Sequence, residues 1–328
     1  MKRVKLLAIM MLLIALPLAT SCARTKELQS SSSADRRSVA LIVKDRSGEF
    51  WTTVRLGAEA AAKEFNIDLK FDGTDSDSDW EAQAALTERY VAYGANAVVL
   101  AAADYEKLAG TVEAVERRGV QVVAIESEIH SSKTRSFIGI DNYEAGRQAA
   151  RKMIELAGNQ AGLHVIGDVR GNRNAMQRVK GITDEAAAAG MKITDTVYCA
   201  STTNACKADI QKLLKRVTNE GQAEGILALN AATSSEAARQ LDQMGLAGRV
   251  KLVGFDNAEE ELEWLQEGVI QATVIQNPFS MGYLGVKTAV QAMDHQQVNR
   301  RIDTGTKVID AENMFWSDNQ KMLFPFVQ

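Results

Sequence analysis

From Ser38 onward the chain alternates short apolar runs with longer amphipathic ones. Val39-Ala40-Leu41-Ile42-Val43 is apolar at every position, the pattern of a strand buried on both faces of a sheet. The next segment places Phe50, Trp51, Val54, Ala58, Ala61, Ala62 and Phe65 at helical spacing, which predicts a helix with one apolar face. The alternation recurs. Further strands are predicted at 97–101, 120–125, 164–169, 225–229, 250–255 and 272–275, with helices near 78–93, 104–118, 142–157, 174–189, 204–219, 232–244 and 278–294. Such a rhythm implies α/β organisation, with parallel sheets covered by helices on both faces. A length of 328 residues fits two units of this kind.

Several predicted strands run directly into a polar residue: Ile125 into Glu126, Leu229 into Asn230, Phe255 into Asp256 and Ile275 into Gln276. Ligands of open parallel sheets sit outside the carboxyl ends of the strands, so these side chains would emerge at one edge. Each could equally be a solvated loop starter. Phe50 and Trp51, after the first strand, add an apolar wall to the candidate site.

The amino terminus departs from this pattern. Lys2, Arg3 and Lys5 precede an uncharged stretch at 6–19, whose 14 residues fall short of the ~20 needed to span a bilayer. A basic start, a short apolar run and small residues describe a secretory signal peptide over 1–21. Leu18-Ala19-Thr20-Ser21-Cys22 resembles the bacterial lipoprotein cleavage box, which makes Cys22 the expected lipidated first residue of the mature chain. Ordinary cleavage nearby, with Cys22 free, is the alternative. Residues 22–37, with Gln29-Ser30-Ser31-Ser32-Ser33, read as a polar tether. The protein is therefore expected outside the cytoplasmic membrane, anchored to it by lipid.

Composition narrows the function. There are 38 Lys+Arg and 42 Asp+Glu, and three of the bases lie in the leader, which leaves the remainder acidic. That balance argues against a nucleic-acid partner. Hydrophobic residues at 46% and charged residues at 24% exclude general disorder. Three cysteines are too few for a disulfide scaffold.

Residues 38–310 resemble the periplasmic sugar-binding proteins of the ribose-binding type, relatives of the lactose-repressor effector domain. The resemblance is carried by Val39-Ala40-Leu41-Ile42-Val43 with Glu49-Phe50-Trp51, by Ile140-Asp141-Asn142 with Gly146, and by Asn174-Ala175-Met176-Gln177-Arg178-Val179-Lys180-Gly181. Leu229-Asn230, Val253-Gly254-Phe255-Asp256 and Gln276-Asn277-Pro278 complete it. It implies a type I periplasmic binding protein fold: two doubly wound parallel-sheet lobes joined by three hinge crossovers, near Asn142, Asn277 and Gly305. The expected lobes are 38–141 with 277–305, and 142–276 with the tail 306–328. It also implies closure over a small sugar, delivery to the permease of an ABC importer, and a monomer without cofactor or metal. Presentation of the closed form to a membrane sensor kinase is the alternative.

Carried over by position, Phe50 and Trp51 resemble the aromatics that stack on the sugar ring, whose C–H faces are apolar. Arg178 matches the hydroxyl-clamping arginine, and Asn230, Asp256 and Gln276 match the asparagine, aspartate and glutamine contacts. Glu126 stands where many members have aspartate. A fan of carboxylates, amides and a guanidinium suits hydroxyls, which both donate and accept. Ser127, Gly48 and Ala101 depart from the ribose pattern, which points away from ribose itself. Lys44, Asp45 and Arg46 either supply the missing contacts or form a solvated loop.

Other signals are weaker. Asp75-Ser76-Asp77-Ser78-Asp79 resembles the start of a calcium loop but has Trp80 for the glycine and Leu86 for the bidentate acid, so a helix cap is the better reading. His130, His164 and His295 lack ligand spacing. No phosphate loop, nucleophile elbow or zinc-protease helix is present, and an enzyme is not expected. Cys199 and Cys206 fit a local disulfide or a reduced pair equally. The aromatic tail with Phe315, Trp316, Phe324 and Phe326 is expected to pack along the lobes.

Overall fold

The computed structural model describes residues 36–167, 172–198, 204–217 and 224–324. The leader, Cys22, nearly all of the tether, Cys199 and Phe326 lie outside the described residues.

The first part of the chain runs β1 (Ser38–Val43), α1 (Glu49–Glu64), β2 (Asp68–Gly73), α2 (Trp80–Ala92), β3 (Ala97–Leu100), α3 (Ala109–Arg117), β4 (Gln121–Ile125) and β5 (Ser136–Gly139). The second runs α4 (Asn142–Ala157), β6 (Gly162–Gly167), α5 (Arg173–Ala188), β7 (Lys192–Tyr198), α6 (Asn204–Val217), β8 (Glu224–Ala228), α7 (Ala231–Gln243), β9 (Val250–Phe255), α8 (Glu259–Gln266) and β10 (Ala272–Ile275). Then come α9 (Pro278–Met293), β11 (Arg301–Asp303), β12 (Lys307–Asp310) and α10 (Ser317–Leu323).

Two six-stranded sheets result, in the orders β11-β5-β4-β3-β1-β2 and β12-β10-β9-β8-β6-β7. All pairings are parallel except that of β12 with β10. The orders correspond position by position, so β4 and β9 occupy equivalent places. The chain passes between the sheets three times: between β5 and α4, between β10 and α9, and between β11 and β12.

Burial explains the apolar runs. Every residue from Val39 to Val43 is 0% exposed. Val39, Leu41 and Val43 pack with α1 and α9, while Ala40 and Ile42 pack with Val91, Leu108 and Val112 on the opposite face. That is the two-residue period of a central strand. Helices cross closely at paired glycines. A β-carbon at Gly57 would lie 2.0 Å from Phe279 O, and one at Gly282 would lie 1.9 Å from Val54 O, where α1 meets α9. In the second lobe Gly146 and Gly181 make the same reciprocal approach between α4 and α5, to Arg178 O and Tyr143 O.

Candidate binding cleft

The carboxyl ends of both sheets face one cleft of about 750 Å³. All seven ligand-binding residues expected from the sequence line it: Phe50, Trp51, Glu126, Arg178, Asn230, Asp256 and Gln276. The two aromatics differ in setting. Trp51 is buried in the first-lobe core, with Phe50 edge-on to it at a 5.0 Å centroid separation. Phe50 is half-buried and packs against the cores of both lobes.

On the first lobe, Glu126 directly follows β4 with φ +60°. Its carboxylate accepts from Lys44 Nζ at 2.8 Å and from Ser127 Oγ at 2.7 Å. Lys44, 4% exposed, also donates to Ser127 Oγ at 2.6 Å. The loop after β1 is therefore divided: Lys44 is built into the site, Asp45 lines the cleft, and Arg46 turns outward to an exposed ion pair with Asp75.

On the second lobe, Arg178 stands in the second turn of α5, buried. Its Nε donates to Asn142 Oδ1 at 2.8 Å and its Nη1 to Leu229 O at 2.5 Å, and its guanidinium lies 4.4 Å from the Phe255 ring centroid. Asp256 follows β9 with φ +80°. Its Oδ1 accepts from Gln276 Nε2 at 2.6 Å, and its Oδ2 accepts from the Ala231 N–H at 3.3 Å. Burial pushes the Asp256 carboxyl above its usual range, against the lowering effect of the Arg178 charge and the Gln276 hydrogen bond. Asn230 caps α7: its Oδ1 accepts from the Thr233 N–H at 2.9 Å. Asn142 and Gln276 stand at the first two crossovers, so Arg178 and Asp256 are each tied to a hinge.

The lobes also touch across the cleft. Asn174 Nδ2 donates to Glu126 Oε1 at 2.8 Å, the Glu259 N–H donates to Glu49 Oε2 at 3.0 Å, and Arg173 pairs with Glu128 at 3.6 Å. Asn174 and Glu49 stand in the quoted motifs, where the sequence alone does not mark them as site residues. The tail reaches the cleft as well. Leu323 enters the second-lobe core, and residues 321–324 form part of the rim, while Phe315 and Trp316 are exposed.

A family model for the periplasmic binding protein domain matches residues 39–297. The chain belongs to that family. Its members are binding proteins rather than enzymes. The D-ribose/D-allose-binding protein of Pseudomonas aeruginosa is 28% identical over 300 residues, which is 87% of this chain and 91% of that one. The D-allose-binding periplasmic protein of Escherichia coli is 25% identical, covering 80% and 86%. Among solved structures, a carbohydrate-transporter solute-binding protein from Agrobacterium radiobacter in complex with D-arabinose superposes with a TM-score of 0.83 at 26% identity, covering 89% of this chain and 100% of that one. A solute-binding protein from Agrobacterium vitis with bound D-fucose gives 0.83 at 28% identity, covering 88% and 100%.

Asp79 caps α2, its Oδ1 accepting from the Ala82 N–H at 2.9 Å. Among the described residues, no three His, Cys, Asp or Glu side chains are grouped to hold a metal. Cys206 is buried and disulfide-bonded.

Proposed function

We propose that this protein is an extracytoplasmic receptor that closes on a small neutral sugar and delivers it to an ABC importer. The observation that carries the reading is the charge pairing inside the cleft. Lys44 faces Glu126, and the Arg178 charge acts on Asp256, so each interior cation is matched by an acid while many donors and acceptors remain. A polyhydroxyl ligand needs that combination; an anionic or cationic one would leave a buried charge uncompensated. In this reading Phe50, with Trp51 behind it, covers the apolar face of the sugar. Glu126, Arg178, Asn230, Asp256 and Gln276 take its hydroxyls, and Lys44 fixes Glu126 and supplies a donor. The lobes 38–141 with 277–305 and 142–276 with 306–328 act as the two halves of a clamp. The relatives' ligands support a pentose, hexose or deoxyhexose.

A thermal-shift panel of D-ribose, D-allose, D-arabinose and D-fucose tests the reading. A ligand bound by the native state alone raises the melting temperature, by about 2.7 kcal/mol of added stability at a hundredfold excess over Kd. Failure of all four, together with the other common monosaccharides, would sink it.

The anchor belongs to the same proposal. Cys22 is its lipidated residue, and it leaves the sugar site on a tether near the membrane partner. Cys22→Ser should lose metabolic fatty-acid label; equal label on the variant would refute the anchor. The reading as a sensor for a membrane kinase uses the same closed form and is distinguished by which membrane protein the sugar-bound form captures.

A further inference from the structure

Behind Asp256 the cleft wall holds a carboxyl that the proposed function does not use. Glu261, in the first turn of α8, is 0% exposed. It lies against Gly254 of β9, Ser234 of α7 and Thr273 of β10. Its Oε2 is buried without a hydrogen-bond partner. Its Oε1 lies 3.0 Å from Thr273 Oγ1, which is 2.7 Å from the backbone carbonyl oxygen of Asp256. Ser234 Oγ, in turn, is 2.8 Å from the carbonyl oxygen of Asn230 and accepts from the Phe255 N–H at 3.1 Å.

The protons decide the direction of these bonds. A hydroxyl carries one proton, and a carbonyl oxygen can only accept. Thr273 has one proton for two oxygens. It gives that proton to the Asp256 carbonyl, its shorter contact, when the Glu261 carboxyl is neutral, while an ionised carboxylate would compete for it; Ser234 donates to Asn230. Neither then has a proton left for Glu261. With both bonds in place, the contact between Glu261 and Thr273 is a hydrogen bond only when the carboxyl is the donor, which requires it to be neutral. An ionised Glu261 would also bury a charge with Oε2 unpaired, offset only in part by the Ala258 N–H that hydrogen-bonds the carboxyl.

We propose that Glu261 is a positioning residue: as a neutral acid it donates to Thr273 Oγ1, which donates to the Asp256 carbonyl and so holds the left-handed turn that aims the Asp256 carboxylate into the cleft. Its bearing on affinity rests on the sugar-site reading; the proton relay does not. The ionisable group that bears on Glu261 is Asp256, whereas α7 and β10 present hydroxyls to it. Arg178 from α5 and Glu126 from the other lobe act on Asp256 in turn. Burial, with the Asp256 charge added to it, holds the Glu261 carboxyl well above its usual range. When it ionises, it becomes an acceptor and draws the Thr273 proton. The Asp256 carbonyl loses its donor, and a second negative charge appears behind the Asp256 carboxylate. Affinity should therefore fall as pH rises.

The test uses the full mature chain and two readouts over the same pH series: the carbon-13 shift of the Asp256 backbone carbonyl without ligand, and calorimetric affinity for D-allose. In the unsubstituted protein the carbonyl shift should follow the Glu261 titration, and affinity should drop about tenfold as it ionises, the loss of one hydrogen bond. Glu261→Gln keeps a neutral donor, so the Glu261 component of the carbonyl titration should vanish while the low-pH affinity is retained. If that variant does not fold, Thr273→Val breaks the relay and should uncouple the Asp256 carbonyl from the Glu261 titration. A carbonyl titration unchanged by either substitution, or an affinity with the same pH dependence in the Gln variant, would overturn the proposal. Absence of D-allose binding at every pH would count against D-allose as the sugar and leave the carbonyl titration to decide the relay.

Discussion

Two acids, Glu126 and Asp256, end equivalent strands of the two sheets, and both adopt positive φ. A non-glycine residue in this region stores about 1–3 kcal/mol of strain, so each turn is held by its surroundings. Asp256 is held by Gln276, Thr273 and the Ala231 N–H. Its raised carboxyl pKa has a sign that can be checked. A folded-state value above the unfolded one means that folding takes up a proton, so stability is greatest in acid and declines as pH rises from the ordinary carboxylate range to the raised value. Asp256→Asn should flatten that decline in chemical denaturation of the ligand-free protein. The same change should weaken sugar binding roughly ten- to a hundredfold by calorimetry, the loss of a charged hydrogen-bonding group. Unchanged affinity would remove Asp256 from the site. These acids are legible in the sequence as cleft-edge candidates because each directly follows a buried strand, and the resemblance to sugar-binding proteins picks them out from solvated loop starters. Lys44 is not decided by the sequence, because a lysine after a strand reads equally as solvated. Glu261 was hidden in the run Glu259-Glu260-Glu261, where helix phase alone turns one carboxyl inward.

At the scale of elements, the strands legible in the sequence were β1, β3, β4, β6, β8, β9 and β10, all interior to their sheets. The strands missed include all four edges. β2 and β7 are half-exposed and mix charged with apolar residues, and β11 and β12 have three and four residues. A strand buried on both faces reads as a mostly apolar run, whereas an edge strand does not. Only β5, buried but four residues long, was missed in the interior. The paired glycines were visible as letters, and their reciprocal contacts were not. A β-carbon at Gly181 would meet Tyr143 O at 2.0 Å, so α4 and α5 must separate to accept it. Gly181→Ala should cost about 1–3 kcal/mol in denaturant unfolding, as overpacking does. It should also weaken sugar binding, because Arg178 sits on the displaced helix with its own carbonyl against Gly146. Wild-type stability in Gly181→Ala would contradict this packing.

For the whole molecule, the two sheets give a clamp whose halves meet through Phe50 and a few polar contacts: Asn174 with Glu126, the Glu259 N–H with Glu49, and Arg173 with Glu128. Partly exposed contacts of this kind contribute little each, so the lobes should part in the free receptor and close when a ligand bridges them. Small-angle scattering should show a smaller radius of gyration with saturating sugar; no change would count against a hinge mechanism. The three crossovers also set the order in which the chain can fold. β11 completes the first sheet, and Val286, Ala289 and Val290 of α9 complete its core against Val39 and Leu41. Although the first lobe begins at the amino-terminal end, it lacks an edge and part of the covering of one face until residues near 300 have been synthesised. The second lobe waits for β12 and Leu323. A nascent chain of this design stays unfinished in both halves until translation is nearly complete, a state suited to a polypeptide threaded through a membrane before it takes its shape.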